Sequence, residues 1–94
     1  MKLEWSAVAL ADLDRFAAFL HDRHPRLASI VAREILAKAS ILEGNPELGF
    51  PLGEQGLYRQ IVLEVLRAKY VFRYRLAGDR IVMLRVFHGR EKRP

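Results

Sequence analysis

The first half of the chain carries apolar residues at three- and four-residue steps, the spacing of one face of an amphipathic helix. Within the run AVALADLDRFAAFLHDRH this face consists of Leu10, Leu13, Phe16, Ala17 and Leu20. Ser6 precedes the run and offers a side-chain oxygen to the free backbone N–H groups of a helix start. His24-Pro25 interrupts the pattern, so the spacing predicts a first helix that begins after Ser6 and ends by His24.

A second amphipathic pattern runs from Arg26 to Glu43, directly after a proline that suits a first helical turn. Its apolar stripe is Ala28, Val31, Ile35, Ala39 and Leu42. Three further apolar residues lie off the stripe, namely Ile30, Leu36 and Ile41. Either this helix is covered on more than one side, or part of it is left for a partner. Gly44 and Pro46 end it, and the two helices are expected to form an antiparallel hairpin.

The period changes from 3.6 to 2 after residues 45–56, a connection rich in glycine and proline. Alternating apolar and polar residues then predict three strands, 57–63, 69–76 and 80–87. The last two are joined by the tight turn Ala77-Gly78-Asp79. A short alternation at residues 2–5 predicts an additional edge strand.

These elements predict a single α+β domain, residues 1–94, in which a helical hairpin packs on a small antiparallel sheet in the order β-α-α-β-β-β. The alternation assigns to the helix-covered face Tyr70, Phe72, Tyr74 and Leu76. In the last strand it groups on one face Val82, Leu84 and Val86. The other, open face of the sheet is then a basic surface that presents Arg73, Arg75 and Arg85.

Size and composition are consistent with one compact domain. Ninety-four residues, of which 51% are hydrophobic, suffice to bury a single core. The absence of cysteine excludes disulfides and cysteine-ligated zinc. The sequence shows neither a signal-peptide pattern nor an apolar run of about 18 residues, so we expect a cytoplasmic protein without a membrane segment.

Charge is distributed unevenly along the chain. Residues 1–56 contain six Lys or Arg and eight Asp or Glu, a net charge of −2, whereas residues 57–94 contain ten and three, a net charge of +7. This asymmetry predicts an acidic partner for the C-terminal half: nucleic acid, an acidic protein segment, or both. A solvated basic surface without a partner is the alternative.

Candidate chemistry concentrates in the same basic half. Guanidinium groups match phosphate and carboxylate oxygens with two parallel N–H donors. We therefore assign a partner-binding basic face to Arg59, Lys69, Arg73, Arg75, Arg85 and Arg90. His88 follows the last strand, where it would serve either in proton transfer to a phosphodiester or as a strand-end hydrogen-bonding residue. His21 and His24 have no third ligand nearby in sequence, and we expect no metal and no cofactor.

The order of the motifs resembles the RelE/ParE superfamily of plasmid stabilisation toxins over essentially the whole chain. Trp5-Ser6 followed by Ala9, Asp12 and Leu13 resembles the opening of these toxins. The segments NPELG and PLG resemble their centre, and YVFRYR and IVMLRVFHGR resemble their last two strands. The resemblance implies a two-helix hairpin on a small antiparallel sheet, and a cognate antitoxin that wraps the toxin with an acidic, partly helical tail.

Two activities are implied by the branches of this superfamily. ParE-like members poison DNA gyrase by binding and are not enzymes, and the strand-end pattern Arg-Val-x-His resembles that branch. RelE-like members cleave mRNA on the ribosome, and the residues that would act on the scissile phosphate are Arg59, Arg73, Arg85, His88 and Arg90. Val71 and Ile61 stand where RelE-like members usually carry basic residues, which favours gyrase binding without catalysis. A third alternative is a toxin relic that only binds its antitoxin.

Overall fold

The computed structural model describes all 94 residues, and two helices form most of the first half. Helix α1 spans Ala7–His21 and helix α2 spans Pro25–Ala39. The Ser6 hydroxyl accepts a hydrogen bond from the backbone N–H of Ala9 at 3.0 Å, the cap that the sequence predicts. The last part of the predicted second helix, Ser40–Glu43, is a 3₁₀ turn instead. Neither helix has the combination of length and apolar character that crossing a membrane requires.

Five strands form one sheet in the order β1-β5-β4-β3-β2. They are β1 Lys2–Trp5, β2 Phe50–Leu52, β3 Tyr58–Val65, β4 Ala68–Ala77 and β5 Arg80–His88. The predicted α+β class, the helical hairpin and the order of the predicted elements are confirmed. The sheet is mixed, however, because β1 pairs with β5 in parallel, and it contains an additional strand. That strand, β2, is three residues long with Pro51 at its centre, so no alternation marks it in the sequence.

The core lies between the helical hairpin and one face of the sheet. The helices contribute Ala9, Leu13, Phe16, Val31, Ile35 and Ala39. The sheet contributes Tyr70, Phe72, Tyr74, Ile81, Met83 and Val86. The aromatic residues of β4 are therefore core residues, as the alternation predicts.

A β-bulge in β5 changes which of its residues face the core. A register shift halfway along the β4–β5 pair leaves Leu84 without a partner on β4. Before the shift the fully buried residues are Ile81 and Met83, and Val82 is only half-buried. After the shift Val86 is fully buried. The grouping of Val82 and Leu84 with Val86 is therefore wrong, because one extra residue displaces a two-residue alternation by one position.

Candidate functional site

The open face of the sheet carries the three arginines that the alternation places there. Arg73 on β4 pairs with Arg85 on β5, and Arg75 lies two residues further along β4, so the three share one face. The guanidinium carbons of Arg73 and Arg85 lie 5.2 and 4.6 Å from the ring centroid of Phe87. Arg73 Nε also donates a hydrogen bond to Gln60 Oε1 at 2.7 Å. This face is basic, and two of its arginines, Arg73 and Arg85, pack against a buried aromatic ring.

Arg85 is also paired with Asp12 on α1. Its Nε and Nη2 donate to the two carboxylate oxygens at 3.0 and 3.1 Å, a bidentate arrangement. The Val86 N–H donates to Asp12 Oδ2 at 2.8 Å, and Arg15 pairs with both Asp12 and Glu91. Burial alone would raise the pKa of Asp12, but hydrogen bonds from Arg85, Val86 and Arg15 outweigh it and hold that pKa below its ordinary value. Arg85 is therefore only partly available to a partner.

Polar side chains line the part of β5 that β1 does not cover. β1 pairs only with Arg80–Met83 of β5. Beyond this range the Ser6 hydroxyl donates to the Leu84 carbonyl at 3.3 Å, and the His88 N–H donates to Glu91 Oε1 at 2.7 Å. Asp12 on α1 accepts the Val86 N–H in the same part of β5. These three side chains therefore satisfy backbone groups that an edge strand would otherwise leave without a hydrogen-bond partner.

Arg59 lies on the helix-covered face, and it holds the loop between the 3₁₀ turn and β2. It pairs across the sheet with the core residue Tyr74. Its Nη1 donates to the carbonyls of Glu47 and Gly49 at 3.1 and 2.8 Å. The Tyr74 hydroxyl accepts the Gly49 N–H at 2.8 Å, so both side chains fix the same loop. Contrary to the sequence-based assignment, Arg59 does not belong to the open face, because the pleat of β3 directs it to the other side.

His88 also lies on the helix-covered face. It pairs with Tyr70, and the two rings form an edge-to-face contact with centroids 5.3 Å apart. Its Nδ1 accepts the Arg90 N–H at 3.1 Å, as expected of a strand-end histidine. The His88 side chain thus projects from the opposite face of the sheet to those of Arg73 and Arg85. The residues that mRNA cleavage would require are split between the two faces of the sheet.

A basic cleft of about 500 Å³ lies at the end of the sheet, where β3 turns into β4 and β5 ends. Its floor includes Val62 and Val71. The cationic and titratable residues around it are Arg67, Lys69, His88, Arg90 and Arg93. None of its Lys or Arg side chains forms an ion pair. Lys69 and Arg90 belong to the predicted basic face. Arg93 was not assigned to it, because the C-terminal tail shows no alternation of apolar and polar residues from which the position of a side chain follows.

An apolar cleft of about 510 Å³ adjoins the basic cleft on the helix side. Its apolar lining includes Phe16, Phe19, Leu20, Leu27, Leu66 and Tyr70. Phe19 is 60% exposed, which is unusual for a large aromatic side chain. Both clefts are lined by Ala68, His88 and Arg90, so they are contiguous. The sequence gives one indication of this cleft. Phe19 is a large apolar residue that lies outside the apolar stripe of α1, in the same way that three apolar residues lie outside the stripe of α2.

The comparison with protein families decides what kind of protein carries this site. Residues 3–93 match the family model described as the ParE toxin of the type II toxin–antitoxin system parDE. The chain belongs to the ParE toxin family. This membership confirms the resemblance to the RelE/ParE superfamily. Toxin RelE1 of Caulobacter vibrioides is also similar to this ParE-family toxin, with 32% identity over 88 residues that cover 94% of this chain and 92% of the relative.

Two solved structures share the fold of this ParE-family toxin. A chain of the chromosomal ParDE toxin–antitoxin system from P. aeruginosa matches with a TM-score of 0.74 and 24% identity, over 94% of this chain and 95% of that chain. A chain of the RelBE2 toxin–antitoxin complex from Mycobacterium tuberculosis matches with a TM-score of 0.51 and 23% identity, over 93% and 95%. At these identities the likeness is one of fold.

The predicted site residues of this ParE-family toxin therefore fall into three groups. The open face holds Arg73, Arg75 and Arg85. The basic cleft at the end of the sheet holds Lys69, His88 and Arg90. Arg59 stands apart from both groups, since its guanidinium is bound to loop carbonyls.

Proposed function

We propose that this ParE-family toxin arrests growth by binding DNA gyrase in the cytoplasm, and that a cognate antitoxin neutralises it in a toxin–antitoxin hetero-oligomer. The family match over residues 3–93 supports the ParE-like branch, whose activity is binding. The names of the two structural neighbours, a ParDE system and a RelBE2 toxin–antitoxin complex, support an antitoxin as partner. The net charge of +7 in residues 57–94 supports an acidic partner.

The observation that carries the choice of binding over catalysis is the separation of the candidate catalytic residues. A general acid or base must lie within hydrogen-bond reach of the proton that it transfers. His88 and Arg59 lie on the helix-covered face, whereas Arg73 and Arg85 lie on the open face. Arg85 is also engaged with Asp12. The side chains assigned to catalysis therefore do not project from one face of the sheet.

Ribosome-dependent mRNA cleavage is the second candidate, and one feature favours it. His88 and Arg90 line the basic cleft together with Lys69, so a titratable ring and two cations share one cavity. In this alternative the cleft would hold the scissile phosphate. The similarity to a relative named RelE1 is consistent with either candidate.

Induced expression in bacteria that lack the antitoxin separates these candidates. Gyrase binding predicts growth arrest with DNA breaks and the SOS response while protein synthesis continues at first, and purified toxin should inhibit DNA supercoiling by gyrase. Ribonuclease action predicts cleaved mRNA on ribosomes and an early loss of translation. Co-expression of the protein encoded by the adjacent gene should restore growth in both cases.

The variant His88→Ala is the sharpest control, because loss of a general acid or base lowers a catalysed rate by about 10²–10⁴-fold. We expect His88→Ala to retain growth arrest, and Arg73→Glu combined with Arg75→Glu to lose it. Early mRNA cleavage that disappears in His88→Ala would overturn the gyrase proposal. A folded protein with no effect on growth would identify a toxin relic that only binds its antitoxin.

A further inference from the structure

The open face of the sheet continues past its arginines into a group of exposed apolar side chains on β2 and β3. The exposed fraction of each lies between 38% and 58%, and the four residues are Phe50, Leu52, Tyr58 and Val62. We propose that this part of the open face binds single-stranded DNA. Bases stack on the rings of Phe50 and Tyr58, and the neighbouring arginines contact the phosphates. The choice of DNA over RNA rests on the proposed function, since DNA gyrase acts on DNA.

The pairing of the strands places both rings on the same face as the arginines. Tyr58 lies opposite Arg75, and Gln60 lies opposite Arg73. On the other side of β3, Phe50 lies opposite Gln60. Residues that pair across antiparallel strands point to the same face of the sheet. Phe50 and Tyr58 are diagonal neighbours across β2 and β3, about 7–8 Å apart, and therefore form two adjacent platforms next to the two guanidinium groups.

The arginines beside the two rings carry no counter-charge. Neither Arg73 nor Arg75 takes part in an ion pair within the chain. The strands direct two acidic residues to this face, and each has a cation as its neighbour. Glu4 lies 3.7 Å from an arginine of β5, and Glu64 lies opposite a lysine of β4. A phosphate group at the rings therefore meets guanidinium donors without a competing carboxylate.

The basic cleft continues this surface towards the end of the sheet. Its floor includes Val62, which lies on the same face of β3 as Tyr58, four residues further along the strand. The C-terminal tail adds positive charge there, because Arg93 lines the cleft. The tail also reaches the open face, where Arg73 Nη1 donates to the backbone oxygen of Pro94 at 3.0 Å. Stacking platforms that lead into a basic groove are typical of proteins that bind single strands.

The shape of this surface favours a single-stranded nucleic acid over a protein partner. The anchoring side chains of protein interfaces fill pockets, whereas neither Phe50 nor Tyr58 lines either of the two clefts. Exposed rings beside arginines on an open sheet are the arrangement on which unpaired bases stack. In a duplex each base is covered by its neighbours in the stack, so a single strand is the form that offers its bases to these rings.

Substitutions of the two rings test the stacking, measured by the fluorescence anisotropy of a labelled single-stranded DNA oligonucleotide with the full-length toxin. Phe50→Ala and Tyr58→Leu each remove an aromatic face, and we expect each to raise the dissociation constant at least about fivefold. Tyr58→Phe keeps the ring and should bind within about twofold of the unaltered toxin. Phe19→Ala is the matched control, because this ring is 60% exposed but lies on α1, and it should also bind within about twofold.

The salt dependence of the same titration separates the arginine from the rings. Arg75→Gln removes one phosphate contact, so the slope of log affinity against log salt concentration should become shallower by about 0.7. The ring variants should keep the slope of the unaltered toxin. Arg33→Gln, at an exposed arginine of α2, is the matched control and should leave the slope unchanged. Affinity for duplex DNA of the same sequence should not depend on either ring.

The outcomes separate this inference from the proposed function. If the toxin inhibits DNA supercoiling by gyrase but the ring variants bind single-stranded DNA as tightly as Phe19→Ala, the DNA-binding surface alone is wrong. If binding depends on the rings but gyrase is not inhibited, the surface is right and the gyrase proposal is wrong. No measurable binding of single-stranded DNA overturns the inference. An RNA oligonucleotide of the same sequence that binds more than about tenfold tighter than DNA overturns the choice of DNA and favours mRNA.

Discussion

Asp12 joins a helix to a distant strand through a buried carboxylate. It is 2% exposed, and it accepts hydrogen bonds from the Arg85 side chain and from the Val86 N–H. Arg15, three residues along the same helix, is its second cationic partner. The sequence separation between Asp12 and Val86 is 74 residues. A single side chain therefore fixes α1 against the uncovered part of β5.

Replacement of Asp12 by asparagine should destabilise the fold. Asp12→Asn keeps the size of the side chain but leaves two guanidinium groups without their counter-charge. We expect the free energy of unfolding at pH 7 to fall by about 2 kcal/mol, less than for a fully buried pair because both arginines keep contact with water. Urea denaturation measures this, and Asp14→Asn at an exposed position of the same helix is the control, with a change within about 0.5 kcal/mol.

The same comparison has a pH dependence of definite sign. The pKa of Asp12 is lowered in the folded protein. The carboxylate therefore contributes fully to the free energy of unfolding above its unfolded pKa of about 3.9, and this contribution is lost as the pH falls through the folded pKa. The difference in unfolding free energy between the unaltered toxin and Asp12→Asn should therefore narrow below about pH 4. A difference that stays constant in acid would show that the carboxylate charge is not what stabilises the fold.

The loop between the 3₁₀ turn and β2 is anchored by side chains from the sheet. The Tyr74 hydroxyl accepts the Gly49 N–H at 2.8 Å and donates to the Pro46 carbonyl at 2.9 Å. A Cβ atom at Gly49 would lie 2.7 Å from that hydroxyl oxygen, so the loop approaches the ring too closely for a larger residue. Arg59 binds the same loop through two carbonyls.

Removal of the Tyr74 hydroxyl should loosen this loop while the core stays packed. Tyr74→Phe deletes two hydrogen bonds and leaves the buried Gly49 N–H without an acceptor. We expect the free energy of unfolding to fall by about 1–2 kcal/mol. Glutamyl endopeptidase should cleave after Glu47 faster than in the unaltered toxin. Tyr58→Phe, at a side chain 48% exposed, is the matched control and should leave the cleavage rate unchanged. Equal cleavage in both variants would contradict the anchoring role.

The elements that the sequence predicts correctly are those with local causes. The apolar stripe of α2 is fully buried at Val31, Ile35 and Ala39. Helical periodicity predicts this, because the face of a helix that packs on the core is the face that carries the apolar residues. The bulge at Leu84 and the parallel pairing of β1 depend on strand partners far away in the sequence, and no local pattern encodes them. A three-residue strand with a central proline likewise has too few positions for an alternation.

The candidate site was predictable to a similar extent. The strand pattern correctly places Arg73 and Arg75 on the open face, since alternation alone decides that. It does not reveal that Arg85 is engaged by Asp12, because that partner comes from the opposite end of the chain. The two clefts form where a turn, a helix end and the C-terminal tail meet, so their existence depends on tertiary packing.

The first and last strands of the chain lie side by side in the sheet. Trp5 pairs with Met83, and the Ser6 N–H donates to the Met83 carbonyl at 3.1 Å. β5 lies between β1 and β4, and it supplies the fully buried residues Ile81, Met83 and Val86. The sheet and the core are therefore complete only when the last strand is present.

A chain that ends at Asp79 should consequently be unfolded. It lacks a central strand, three fully buried apolar side chains, and Arg85 and Val86, the two partners of Asp12 from β5. A small domain is stabilised by only roughly 5–15 kcal/mol, which does not offset a loss of this size. Its amide NMR spectrum should show the narrow dispersion of an unfolded chain. A chain that ends at Glu91 retains β5 and the bond to the His88 N–H, and should be folded. Dispersed signals from the shorter chain would contradict this account of the fold.

The adjacency of β1 and β5 has a consequence for biosynthesis. A chain emerging from the exit tunnel displays both helices before β5 has been synthesised, so their apolar residues and the Asp12 carboxylate of α1 still lack the strand that they contact. Prematurely terminated polypeptides therefore stay open to proteolysis and never present a finished arginine-bearing surface. Formation of the arginine-bearing surface is thereby coupled to the completion of translation.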